Sequence, residues 1–375
     1  MEVKTANKGR MRLQFVPILM GMMLLAASCK DKTDPTEYDR TALTANLGER
    51  VIVPAYDQLQ DKVDLLRNGS ADFRVAKDQV SLDSLQSRFA KAWLAWKACS
   101  AFEFGPAATA SLRSVLNTFP CDTLQIHNNF TSGAYDLNQA VNLDARGFQA
   151  LDFLLHGLGS GDAAILNRYQ SPSDSSRLTE YLEAVVSDIQ AQVSNVRQAW
   201  NSGYLTTFKA SLGTDVGSST SMLVNELNRD LEIIKTASIG IPLGKQTFDS
   251  PLPEKVEALY SEISIELAIA ELQGLELLFE GQKDGSAEGY GLREALNAVE
   301  ALYNGENLGD AIHNQFQTAK AAVAAIPGSL SEAVVTNRVP VEAAYNEIQK
   351  LVILLKTDMA SALSILITYT DADGD

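Results

Sequence analysis

Residues Gly147–Gly157 read Gly-Phe-Gln-Ala-Leu-Asp-Phe-Leu-Leu-His-Gly, and this stretch restricts the fold more than any other. Its apolar residues surround most of a helix, which requires burial on several sides. The polar exceptions Gln149, Asp152 and His156 fall at i, i+3 and i+7 and stack on one face. A stripe that narrow either touches water or lines a cleft. An acid one turn from a histidine can orient it or share a cation with it, so Asp152 and His156 are the candidate metal ligands. The plain alternative is a solvated face, because Asn142, Arg146, Gln149, Asp152 and His156 recur at steps of four, three, three and four.

The stretch has a copy. Phe148–Gly157 aligns without gaps on Leu272–Gly281, so Gln149 meets Gln273, Asp152 meets Glu276 and Gly157 meets Gly281. Leucine-rich helices match by chance, but a repeated Gln-x-x-acid stripe ending at glycine suggests two helical units related by internal duplication. A site between such halves would draw on Gly147, Gln149, Asp152, His156, Gln273 and Glu276.

The remaining pattern is helical. The periodicity predicts helices over about 41–67, stopped at Asn68-Gly69, and 81–100, with both tryptophans of the second (Trp93, Trp96) in the core. Pro120 and Asn128-Asn129 predict irregular chain over 107–132. Further helices are predicted over about 137–156, 174–200, 214–237, 254–280, 292–303, 308–325 and 340–369. No convincing alternating strand pattern occurs. The chain therefore reads as all-α, in two helical bundles at 41–205 and 206–375.

The first 28 residues read as a lipoprotein signal peptide. Lys4, Lys8, Arg10 and Arg12 precede an apolar run, Phe15 to Ala27, too short for a comfortable membrane span. The run ends Leu-Ala-Ala-Ser-Cys, which resembles the lipobox of bacterial lipoproteins, with Cys29 as the lipidated residue. Residues 29–40 form a polar tether. The expected place is the cell envelope, anchored by lipid on Cys29 and more often in the outer membrane. With 31 basic against 47 acidic residues, nucleic acid is not the expected partner, because phosphate binding needs a basic surface. Cys99 and Cys121 either pair or stay as separate thiols. Of three histidines, His127 and His313 read as surface residues. Asp371–Asp375 looks like the opening of a calcium loop, but such a loop needs twelve positions, so a polar tail is the simpler reading.

Three segments together resemble the imelysin family. Gly147-x-Gln149-x-x-Asp152 followed by Phe-Leu-Leu-x-Gly is similar to its Gly-x-His-x-x-Glu motif and apolar run. Trp96–Pro106 resembles its Trp-to-Phe-Gly-Pro segment, and the chain from Lys356 resembles its final helix and Asp-Gly-Asp end. The resemblance implies a role in iron uptake at the envelope, with an iron species, haem or an envelope protein as partner. Some relatives are described as metal-dependent peptidases, which would require the motif's His and Glu. Here Gln149 and Asp152 stand in their places, and an amide oxygen is a weak substitute for an imidazole ligand. A non-catalytic binding protein is the leading expectation. A metal-dependent peptidase retaining Asp152 and His156 is the competing one, and a structural or interaction lipoprotein the third.

Overall fold

Asp39 opens the first helix by accepting a hydrogen bond from the Ala42 amide at 2.9 Å. From there Arg40–Asn46, Leu47–Ile52 and Val53–Ala76 run on without leaving helical dihedrals. Asn68-Gly69 does not stop this helix. Gly69 is buried against Arg88 of the next helix, and packing there outweighs the roughly 1 kcal/mol that glycine costs a helix interior. The helix ends at Lys77, in the left-handed conformation. A capping box between Asp78 and Ser81 then starts Gln79–Lys97. This computed structural model describes residues 37–282 and 289–369. The expected signal peptide, Cys29, most of the tether and the Asp371–Asp375 tail lie outside the described residues.

Val53–Ala76, Gln79–Lys97 and Ser175–Ala199 pack together, burying Leu59, Val63, Leu66, Phe89, Trp93, Trp96, Val185 and Ile189. Later in the chain Ser264–Glu280, Leu308–Ala324 and Arg338–Ile353 pack on one another. The two groups meet where Ser264–Glu280 lies on Gln79–Lys97. The protein is all-α. Its strand content among the described residues is one short antiparallel pair, Leu302–Tyr303 with Glu306–Asn307. No described helix is long and apolar enough to cross a membrane.

Other predicted segments differ as well, among them 292–303, which is helical only over Leu292–Ala298 and ends in the strand Leu302–Tyr303. Residues 107–132 are not irregular but hold the short helices Pro106–Ala110, Leu112–Asn117 and Thr123–Ser132. Asn129, read as a breaker, is buried, and its amide donates to Asn142 Oδ1 at 2.8 Å and to Tyr181 at 3.1 Å. The predicted 137–156 helix begins only at Gly147, whose φ of 71° lies outside helical space. It runs as α-helix to Asp152 and as a wider π-turn over Phe153–Gly157. The predicted 254–280 helix starts at Ser264. Before it, the chain makes a loop with Ala258 and Glu262 at φ of 54° and 60°, and that loop belongs to the site.

Candidate functional site

Gly147 is fixed by space as well as by its φ. A Cβ there would stand 2.6 Å from the Leu116 carbonyl carbon and nearer still to its oxygen. This places the first turn of Gly147–Asp152 against Leu112–Asn117. Gln149 is buried, and its Nε2 donates to Asn117 Oδ1 at 3.2 Å. Asp152 is buried one turn on. Its carboxylate accepts the Tyr260 amide at 2.9 Å and the Ser261 amide at 3.0 Å, one on each oxygen. Burial pushes the Asp152 carboxyl up to about 6 despite these bonds.

Asn117 links the motif to a buried charged centre. Its amide donates to Glu257 Oε1 at 2.7 Å, and Trp93 Nε1 donates to its oxygen at 3.1 Å. Lys97 Nζ lies 3.3 Å from Glu257 Oε2 and 2.5 Å from Glu271 Oε2. Ser100 Oγ donates to Asp230 Oδ2 at 2.6 Å and stands 3.4 Å from Glu271 Oε1. Arg113 reaches Glu226 Oε2 at 3.0 Å and Asp230 Oδ1 at 3.2 Å, and its amide donates to Glu103 Oε2. Lys97, Asp230, Glu257 and Glu271 are all buried. Burial opposes the Lys97 ammonium, but Glu257, Glu271 and Asp230 outweigh it and hold its pKa above the ordinary value. Burial pushes the Glu103 carboxyl up to about 7, with Arg113 pulling the other way.

One signal in the sequence pointed here. Lys97 follows Phe89 and Trp93 on the apolar face of its helix, and Glu271 lies between Leu267 and Leu275 on its own. A charge inside an apolar stripe calls for a buried partner. Glu257 sits in a loop and gave no such sign.

The other predicted residues lie elsewhere. His156 is half-buried with its ring centroid 5.9 Å from that of Phe89, and burial lowers its pKa, with Asp162 partly opposing. Gln273 is exposed. Glu276 accepts from Gln317 at 2.5 Å and pairs with Lys320. The two aligned stretches thus have unlike surroundings, and the hydrogen bonds of Gln149 and Asp152 go to neither Gln273 nor Glu276. His127 is exposed, against Phe130. His313 is not a free surface residue: its Nδ1 lies 2.8 Å from Glu280 Oε1 and it is half-buried. Cys99 and Cys121 are separate free thiols. Pockets of 570 Å³ beside Gly105 and Tyr204 and of 400 Å³ beside Lys62, Lys91 and Gln273 are lined by neither Gln149 nor Asp152.

The donor set does not suit the metal that the motif implies. Both oxygens of Asp152 hold backbone amides, Gln149 turns its N–H₂ inward as a donor, and the nearby carboxylates already surround an ammonium. Among the described residues no three His, Cys, Asp or Glu side chains are arranged to hold a metal ion.

Comparison with known proteins supports the family assignment. Two solved structures share the fold. One is a protein from Parabacteroides distasonis ATCC 8503 assigned as an iron-regulated protein A precursor, at 17% identity and a TM-score of 0.72, covering 86% of this chain and 95% of that one. The other is an imelysin-like protein from Psychrobacter arcticus 273-4, at 17% identity and a TM-score of 0.68, covering 88% of this chain and 97% of that one. No curated protein matches. The family model for imelysin, peptidase M75, matches residues 52–357, the span that carries the Gly147 motif and the buried charged centre, and the chain belongs to the imelysin family.

Proposed function

We propose that this protein is a non-catalytic envelope lipoprotein of iron uptake, which binds an iron-bearing ligand or a partner protein and cleaves nothing. The observation that carries the reading is the engagement of Asp152. A general base or metal ligand must face substrate, whereas Asp152 is buried, lines neither pocket, and spends one acceptor site on each oxygen holding the amides of Tyr260 and Ser261. Gln149 donates inward to Asn117 and supplies no base. The iron connection draws on family membership and on the iron-regulated description of the Parabacteroides neighbour. The envelope location draws on the basic and apolar leader ending at Cys29.

The test pairs two assays. Deletion of the gene in its host is expected to slow growth under iron limitation, with rescue by the wild-type gene and not by a Cys29→Ser copy. The purified chain is expected to leave unfolded protein and peptide substrates intact with or without added Zn²⁺, Mn²⁺ or Fe²⁺. Metal-dependent cleavage lost in Asp152→Asn would replace this reading with the peptidase one. Normal growth of the deletion strain at every iron level would remove the iron role.

A further inference from the structure

We propose that Lys97 is the resident cation of the buried site, its ammonium pairing with Glu257 and Glu271 and filling the space between them to the exclusion of a metal ion. Three acids converge there from separate segments: Asp230 from Ser219–Ile233, Glu257 from the loop before Ser264, and Glu271 from Ser264–Glu280. Burial, with Asp230 and Glu257 adding to it, pushes the Glu271 carboxyl well above its ordinary range; Lys97 opposes that shift, and Arg113 pairs with Asp230 from the other side, so the group's negative charge rests on these two cations. In many proteins the balancing charge is a divalent ion bound by oxygens. Here it arrives on a four-carbon stem from the end of Gln79–Lys97, 3.3 Å from Glu257 and 2.5 Å from Glu271.

Other oxygens of the group are engaged as well. Glu257 Oε1 takes the Asn117 amide, Asp230 Oδ2 takes the Ser100 hydroxyl, and Asp230 Oδ1 faces Arg113. A metal entering here would have to displace an ammonium held by two carboxylates, and would find Glu257 Oε1 and Asp230 Oδ2 already hydrogen-bonded. The same geometry gives position 149 a role. Asn117 needs its oxygen saturated while its amide serves Glu257, and Gln149 Nε2 and Trp93 Nε1 both donate to that oxygen. Glutamine at 149 therefore acts as an outer donor to the group and not as a ligand.

The test measures metal content, so its result is separable from that of the growth and cleavage assays. The purified chain is equilibrated with excess Mn²⁺, Fe²⁺ or Zn²⁺, freed of unbound ion, and assayed for metal by mass spectrometry and for thermal unfolding with and without EDTA. Lys97→Met, Glu271→Gln and Lys97→Met/Glu271→Gln are taken through the same steps. The wild type is expected to retain no stoichiometric metal and to melt at one temperature throughout. Lys97→Met is expected to melt lower, or not to fold, and the double variant to recover at least half of the loss, because it removes an uncompensated charge. One metal per wild-type chain that Glu271→Gln abolishes would overturn the proposal. So would a double variant no more stable than Lys97→Met, because the ammonium would then not be there to balance Glu271.

Discussion

Gly274 presents its backbone directly to the carbonyl of Ala98: a Cβ at Gly274 would stand 2.7 Å from the Ala98 carbonyl carbon and closer to its oxygen. This close approach lets Ser264–Glu280 settle on the end of Gln79–Lys97, and so lets Glu271 reach Lys97. The obstacle is backbone, so no rotamer change relieves it. Gly274→Ala is expected to cost about 1–3 kcal/mol despite the better helix propensity of alanine. Denaturant unfolding checks this. A neutral or stabilising result would mean that the two helices can separate without loss.

Asp152 ties down the loop that carries Glu257. Its two oxygens satisfy consecutive amides beside left-handed Ala258 and Glu262. Asp152→Asn keeps the shape but turns one acceptor into a donor facing an N–H. The expected cost is about 1–3 kcal/mol, with faster hydrogen exchange at the Tyr260 and Ser261 amides. Unchanged exchange at both would show that the loop holds itself.

Glu103 sets a pH dependence. Its carboxyl titrates near 7 in the folded chain against an ordinary 4.5, so the folded state keeps a proton that the unfolded chain releases. Its contribution is unaffected below about pH 4.5, declines as pH rises toward 7, and stays reduced above, by an amount on the order of 3 kcal/mol. Glu103→Gln holds no such proton. Its melting temperature relative to wild type is expected to rise between pH 5 and pH 8. A constant difference would assign the pH dependence to other groups.

The two thiols should be inert in the native state. Burial raises the Cys121 thiol to about 12 and that of Cys99 higher still, so almost no thiolate exists at pH 8. In a Cys29→Ser chain, both are expected to react with a disulfide reagent at least roughly a hundredfold more slowly than in guanidinium, where two thiols per chain appear. Finding no thiols under denaturing conditions would indicate a disulfide instead.

The sequence by itself determined the all-α class, because apolar residues recurring every three to four positions have only one regular way to be buried. It determined the burial of Trp93 and Trp96, whereas the need for glycine at 147 came from its φ and the nearness of the Leu116 carbonyl. It did not fix where helices begin and end. Gly69 sits inside a helix because Arg88 packs on it, and residues 137–146 hold only the short 3₁₀ turn Ala140–Asn142, set apart from the next helix by the turn at Gly147. Nor did it say what faces a buried charge. Lys97 and Glu271 could each be read as charges on apolar stripes, but periodicity describes the face of one helix and carries no information about its neighbour. Only the packing of helices far apart in the chain pairs Lys97 with Glu271, and gives Asp152 to a loop 108 residues later instead of to a metal.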